Sequence, residues 1–226
     1  MGSAYLVAFL TDDAPAMRSL YEQMRALGMT TTGDGRTGIC EKYDVDRDRR
    51  TDTDAKPALN LLSDADEATL YFWTPSDAEL RVSTFNLDSA DWTVAKTTIG
   101  FQTTVLDPCV QDEATVKTRV DEIFEAAVSI ATVTEPAFAW SAITDENEQY
   151  ERVKPSARPI SDHVDDLSWL TVMSPEVIKQ FGGREHVLNT PAHRIRELDT
   201  GHIVLLLEDH PYEPTERQSW KRHLLG

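Results

Sequence analysis

The residues best suited to metal or acid–base chemistry crowd into the last third of the chain. All six histidines (His163, His186, His193, His202, His210 and His223) lie beyond residue 160. The stretch "AHRIRELDTGHIVLLLEDHP" reads as two β-rich runs about a Gly-containing turn, which puts His193 and His202 on opposite arms of a hairpin, where they could meet. With Asp162 or His163 added they would form a ligand set of the kind zinc takes. Zinc needs three or four ligands converging tetrahedrally, and nothing in this spacing enforces that. In a chain this acidic a histidine pairs as readily with a carboxylate. The expectation is no metal and no cofactor, with His193, His202 and His163 as the residues that would hold a metal if one bound.

A second candidate is "YDVDRDRRTDTDA", residues 43–55, with aspartates at every second position. A calcium loop starting at Asp44 would need Gly at its sixth position and a bidentate Glu at its twelfth. Those places hold Arg49 and Ala55, and Arg47, Arg49 and Arg50 would repel a cation. A solvated loop of mixed charge is the better reading. "GDGRTG" (33–38) lacks the spacing of a phosphate loop, and the sequence has no G-x-S-x-G, H-E-x-x-H or C-x-x-C. Asp165-Asp166 reads as a solvated pair, and Cys109, after Pro108 and with no histidine nearby in sequence, as an inert thiol. No catalytic residue is assigned. Of five tryptophans, Trp73, Trp140 and Trp169 lie in apolar runs and read as core. Trp92 and Trp220 stand among polar residues and are the candidates for contacting a partner.

The 226 residues carry 39 Asp and Glu against 22 Lys and Arg, a net charge of -17 spread along the whole chain. Arg outnumbers Lys about two to one. Such acidity suits molar salt, where the Debye length falls to about 3 Å and carboxylates can crowd a surface. A salt-adapted microbe is therefore the expected source. Phosphate binding needs a basic patch, and none is present, so nucleic acid is not an expected partner. No run approaches the roughly 18 apolar residues of a membrane span, and the N-terminus lacks a signal-peptide pattern. With only Cys40 and Cys109, the expectation is a cytoplasmic protein with free thiols.

These side chains must be carried by a definite set of elements. "AYLVAFL" (4–10) predicts a strand. A helix follows with Asp13 as cap, Pro15 in its first turn, Met17, Leu20, Tyr21, Met24 and Leu27 on one face, and Gly28 as stop. From 37 to 106 the β-rich runs "TGICEKYDV", "ALNLL", "ATLYFWT", "ELRVSTFNL" and "WTVAKTTIGFQTTVL" predict an antiparallel sheet. A second helix spans 113–131 behind Asp112, with Val116, Val120, Ile123, Phe124, Ala127 and Ala131 as its stripe. "AFAWSAI" (137–143) follows, then a charged stretch over 145–166. Residues 167–173 predict a strand, Ser174 and Pro175 a helix start, Gly182-Gly183 its stop, and 192–211 the hairpin. The fold class is α+β: a mixed or mainly antiparallel sheet with two main helices packed on it and a C-terminal strand-helix-hairpin unit. The chain reads as one domain, with 145–166 as the place where it could divide.

The segment "LSWLTVMSPEVIKQFGGREHVLNTPAHRIRELDTGHIVLLLEDHP" (167–211) resembles the C-terminal part of immunity proteins from polymorphic-toxin and type VI systems, the Immunity protein 52-like group. The shared features are a Trp-Leu strand, a short helix ending in Gly, a Pro-Ala strand and an aliphatic Gly-turn hairpin. The amphipathic helix leading into "TEPAFAWSAI" (134–143) resembles that group too, whereas the salt-adapted composition departs from its mostly bacterial members. The resemblance implies a small cytoplasmic α+β protein that binds and neutralises a toxin, and it carries over no catalytic residue. Two function readings follow: a non-enzymatic protein whose partner is another protein, or a small hydrolase or metal-dependent enzyme using the C-terminal histidines.

Overall fold

The apolar run at the N-terminus becomes the strand around which the rest is ordered. In the computed structural model, which describes residues 4–32, 38–44, 49–53, 59–60, 62, 65–86, 95–144, 167–211 and 217–225, β1 (Ala4–Leu10) pairs with β6 (Thr97–Gln102) on one side and β7 (Phe138–Thr144) on the other. Outward from β6 run β5 (Glu79–Phe85), β4 (Glu67–Trp73), β2 (Cys40–Asp44) and β3 (Arg49–Thr53). Outward from β7 run β8 (Leu170–Met173), β10 (Ile203–Leu206) and β9 (Arg194–Glu197). All ten described strands belong to one sheet, and each described pairing is antiparallel.

Side chains alternate across a strand, so a strand covered on both faces must be apolar throughout. "IVLL" in β10 shows this: Val204 and Leu206 enter one core, Ile203 and Leu205 the other. The first core contains Val7, Phe9, Leu70, Phe72, Leu80, Val82 and Ile99, and lies under α1 (Met17–Ala26) and α2 (Glu113–Thr134), which pack on each other. The second contains Phe138, Met173 and Leu205 and is closed by α3 (Pro175–Gln180), α4 (Arg184–Leu188) and α5 (Arg217–Leu225).

Local signals account for most boundaries. Asp112 accepts the Thr115 N–H at 3.0 Å and caps α2, whose stripe is buried as its spacing requires. Ser174 accepts the Val177 N–H at 3.4 Å, with Pro175 in the first turn of α3. The hairpin turns at Gly201, φ +81°, whose N–H donates to the Leu198 carbonyl at 2.9 Å.

Three expectations need correction, and a fourth needs an addition. Helix α1 starts at Met17, after an Ala16 cap that makes no side-chain hydrogen bond, so Asp13 is not its cap. A residue before proline is pushed out of helical space, and Ala14-Pro15 therefore precedes the helix. Within "ALNLL", Leu59, Asn60 and Leu62 are helical, with both leucines buried, because a short apolar run suits either state and packing chooses. Part of the charged loop at 43–55 is strand: Arg49–Thr53 pairs with Cys40–Asp44. A period of two is the period of a strand as well as of a ligand loop. The predicted helix stop at Gly182-Gly183 holds for α3, but a further short helix, α4, begins at once.

Candidate functional site

Three elements converge beside the middle of α2. The first is the end of α1, where Gly28 N–H donates to the Arg25 carbonyl (3.0 Å) and Met29 N–H to that of Met24 (3.1 Å) in a Schellman closure. Gly28 takes φ +80°, where a side chain would be strained. Arg25 Nη1 then holds the Met29 carbonyl at 2.7 Å, and Thr30 exchanges backbone hydrogen bonds with Trp73 at 2.9 and 2.8 Å. Leu27 and Met29 are thereby fastened beside the end of β4. The second element is the turn Thr74–Ala78, closed by Thr74 N–H on the Ala78 carbonyl at 2.9 Å. It projects Pro75, and its Ser76 donates both its N–H (2.9 Å) and its hydroxyl to Glu122 of α2. The third is β9. Arg194 donates from Nη1 to Asp121 Oδ1 (2.8 Å) and from Nη2 to Glu125 Oε1, while its guanidinium carbon lies 4.4 Å from the centre of the Phe124 ring. Arg196, two residues on and so on the same strand face, adds a 3.1 Å bond to Glu125 Oε1.

The result is a cleft of about 270 Å³ lined by Leu27, Met29, Pro75, Asp121, Glu122, Glu125 and Arg194. Its walls are apolar on the α1 side and acidic on the α2 side. The ion pairs are half exposed, with side-chain exposures of 30% for Arg194 and 50% for Asp121, so each contributes at most about 1 kcal/mol. Their effect is to fix the carboxylates in place. Helical spacing i, i+1, i+4 at 121, 122 and 125, opposite "RIR" on a strand, is the signal that points here. It is easily lost among 39 acidic residues.

The histidines behave otherwise. His202 is buried, with Nε2 donating to the Pro136 carbonyl (3.1 Å) and Nδ1 accepting from Thr200 Oγ1 (2.8 Å). A ring committed at both nitrogens offers no lone pair to a metal. The hairpin register sets Leu198 against His202 and His193 against Leu207, so the two histidines stand at opposite ends of it. His163 lies outside the described residues, and no group of three His, Cys, Asp or Glu among the described ones could hold a metal. His186 and His223 stack at 4.2 Å, each Nε2 donating to the other's backbone carbonyl, and so tie α5 to α4.

The partner candidates separate as well. Trp92 lies outside the described residues. Trp220 is 5% exposed and belongs to the second core, so it faces inward and is not presented to a partner. Its polar sequence neighbours mislead because only one face of α5 is buried. Trp73 and Trp169 are buried, and Trp169 Nε1 donates to the Glu208 carbonyl at 2.9 Å; Trp140 is half-buried and stacks on Phe138.

On the sheet face away from α2, Tyr71 donates to Glu41 Oε1 (3.0 Å) beneath the guanidinium of Arg81, 5.4 Å from the ring centre. Burial first, and then the bond to Glu41, push its phenol pKa up to about 12. A phenol so held keeps its proton, and the group ties β2 to β4 and β5.

Compared by sequence, the chain matches no family model and no curated protein. Compared by structure, it resembles a Pseudomonas aeruginosa T6SS protein, PA0821, with a TM-score of 0.53 and 12% identity, over 99% of this chain and 71% of that one. At that identity the likeness establishes a shared fold, and the fold alone.

Proposed function

We propose that the chain is a protein-binding, toxin-neutralising protein of the immunity type, working in a type VI setting. The observation that carries this is the likeness of nearly the whole chain to a T6SS protein. The resemblance of residues 167–211 to Immunity protein 52-like sequences points to the same setting by a separate route. The acidic cleft beside α2 fits a binder whose partner presents positive charge, since complementary charge speeds encounter and selects the partner. The enzyme reading draws no support from His202, whose ring is committed at both nitrogens. We place the protein in the cytoplasm, as the resemblance to immunity proteins implies; no described helix is long and apolar enough to cross a membrane.

The test is co-expression with the product of the adjacent gene. A toxin-domain neighbour should arrest growth when expressed alone, be silent when this chain is present, and co-elute with it in molar KCl. Equal toxicity with and without the chain, and no complex, would overturn the reading.

A further inference from the structure

We propose that the cleft beside α2 receives a surface arginine of the protein partner, an inference that rests on the protein-binding reading above and names the chemistry of its contact. Size is the first argument. The cleft's 270 Å³ equals on the order of nine waters at about 30 Å³ each. It falls below the ~300–1,000 Å³ of small-molecule pockets, and one long side chain suits it better than a metabolite does.

Shape and charge narrow the choice. Leu27, Met29 and Pro75 form an apolar wall that can lie along a methylene stem, while the carboxylates of Asp121 and Glu125 stand opposite for a cationic head; that of Glu122 is held by Ser76. Among the described residues, Arg194 is the one cation that lines the cleft with them. Acceptor capacity is also left over. Arg194 takes Asp121 Oδ1 and shares Glu125 Oε1 with Arg196, and no described residue hydrogen-bonds Asp121 Oδ2 or Glu125 Oε2. These oxygens are already immobilised, so a guest pays little ordering entropy.

Arg194 itself shows which cation the surroundings accept. Its planar guanidinium bridges two of these carboxylates while stacked on Phe124, a geometry that a fork of N–H donors fills and an ammonium does not. A second guanidinium can use the free oxygens of Asp121 and Glu125 from the open side.

The test separates this inference from the functional reading by using two probes. In the first, N-acetyl-arginine amide is titrated into the full chain and followed by amide NMR, with the citrulline analogue as neutral control and the lysine analogue as the rival cation. Saturable shifts at Gly28, Met29, Ser76 and Asp121 with the arginine compound are expected, together with none from citrulline and weaker ones from lysine. They should vanish in Asp121→Asn and persist in Glu176→Gln, which removes a charge from the solvent side of α3 on the other face. In the second, the neighbour-encoded toxin is bound to the same two variants at fixed salt. Asp121→Asn should weaken the complex at least about tenfold and Glu176→Gln should leave it unchanged. Equal melting temperatures verify that Asp121→Asn is folded. No arginine-specific shift, or an unaltered complex with Asp121→Asn, overturns the cleft proposal while leaving an intact complex to support the function. A toxin that does not bind at all, with arginine shifts present, overturns the function and keeps the cleft as a guanidinium site.

Discussion

At the scale of single residues, the polar side chains that could carry chemistry mostly carry structure. His202 joins the hairpin to the α2–β7 connection through the Pro136 carbonyl. His202→Ala leaves that carbonyl without its donor and should cost about 1–3 kcal/mol in urea denaturation. Trp220→Ala opens the second core and should cost about 3–5 kcal/mol, with partner affinity unchanged wherever the protein remains folded. Tyr71 gives a pH signature. Its pKa of about 12 in the fold lies above the 10.0 of an ordinary phenol side chain, so below pH ~10 the folded and unfolded chains hold the proton alike. Between pH ~10 and ~12 the unfolded state gives it up first, binds fewer protons, and stability falls as pH rises. Tyr71→Phe should flatten that alkaline decline; an unaltered slope would assign it to other groups.

At the scale of elements, the C-terminal unit was nearly legible as written. Ser174, Pro175, Gly182 and Gly201 each occupy the position their type implies. Ser174→Ala should cost about 1 kcal/mol by loss of the cap. Gly201→Val should cost more, because φ +81° strains a branched residue and a Cβ there would meet Pro175 Cγ at 3.4 Å. A neutral Gly201→Val in chemical denaturation would contradict the turn. Signals ran out where an element is chosen by packing. The period of two at 43–55 fits a ligand loop and a strand equally, and the pairing of Arg49–Thr53 with Cys40–Asp44 decides for strand.

At the scale of the whole molecule, charge is the governing quantity. With -17 over 226 residues, dilute buffer leaves carboxylate repulsion unscreened, which destabilises the compact state. Melting temperature should therefore rise steeply between ~0.1 M and ~2 M KCl. A flat profile across that range would remove the salt-adapted reading and leave the acidity to partner choice alone.

Composition, periodicity and caps by themselves determined the α+β class, the two main helices, the hairpin and the acidity, because these depend on neighbours within a few residues along the chain. The tertiary structure alone decided that β1 lies mid-sheet between β6 and β7, that α5 turns Trp220 inward, and that His193 and His202 end far apart on one hairpin. It alone brought Leu27, Pro75, Asp121 and Arg194 to one cleft. Those residues are separated by up to 167 positions, and no local pattern encodes a contact between them. Their meeting follows from packing α1 and α2 together over one face of the sheet, with the edge strand β9 beside α2, which fixes where each must lie.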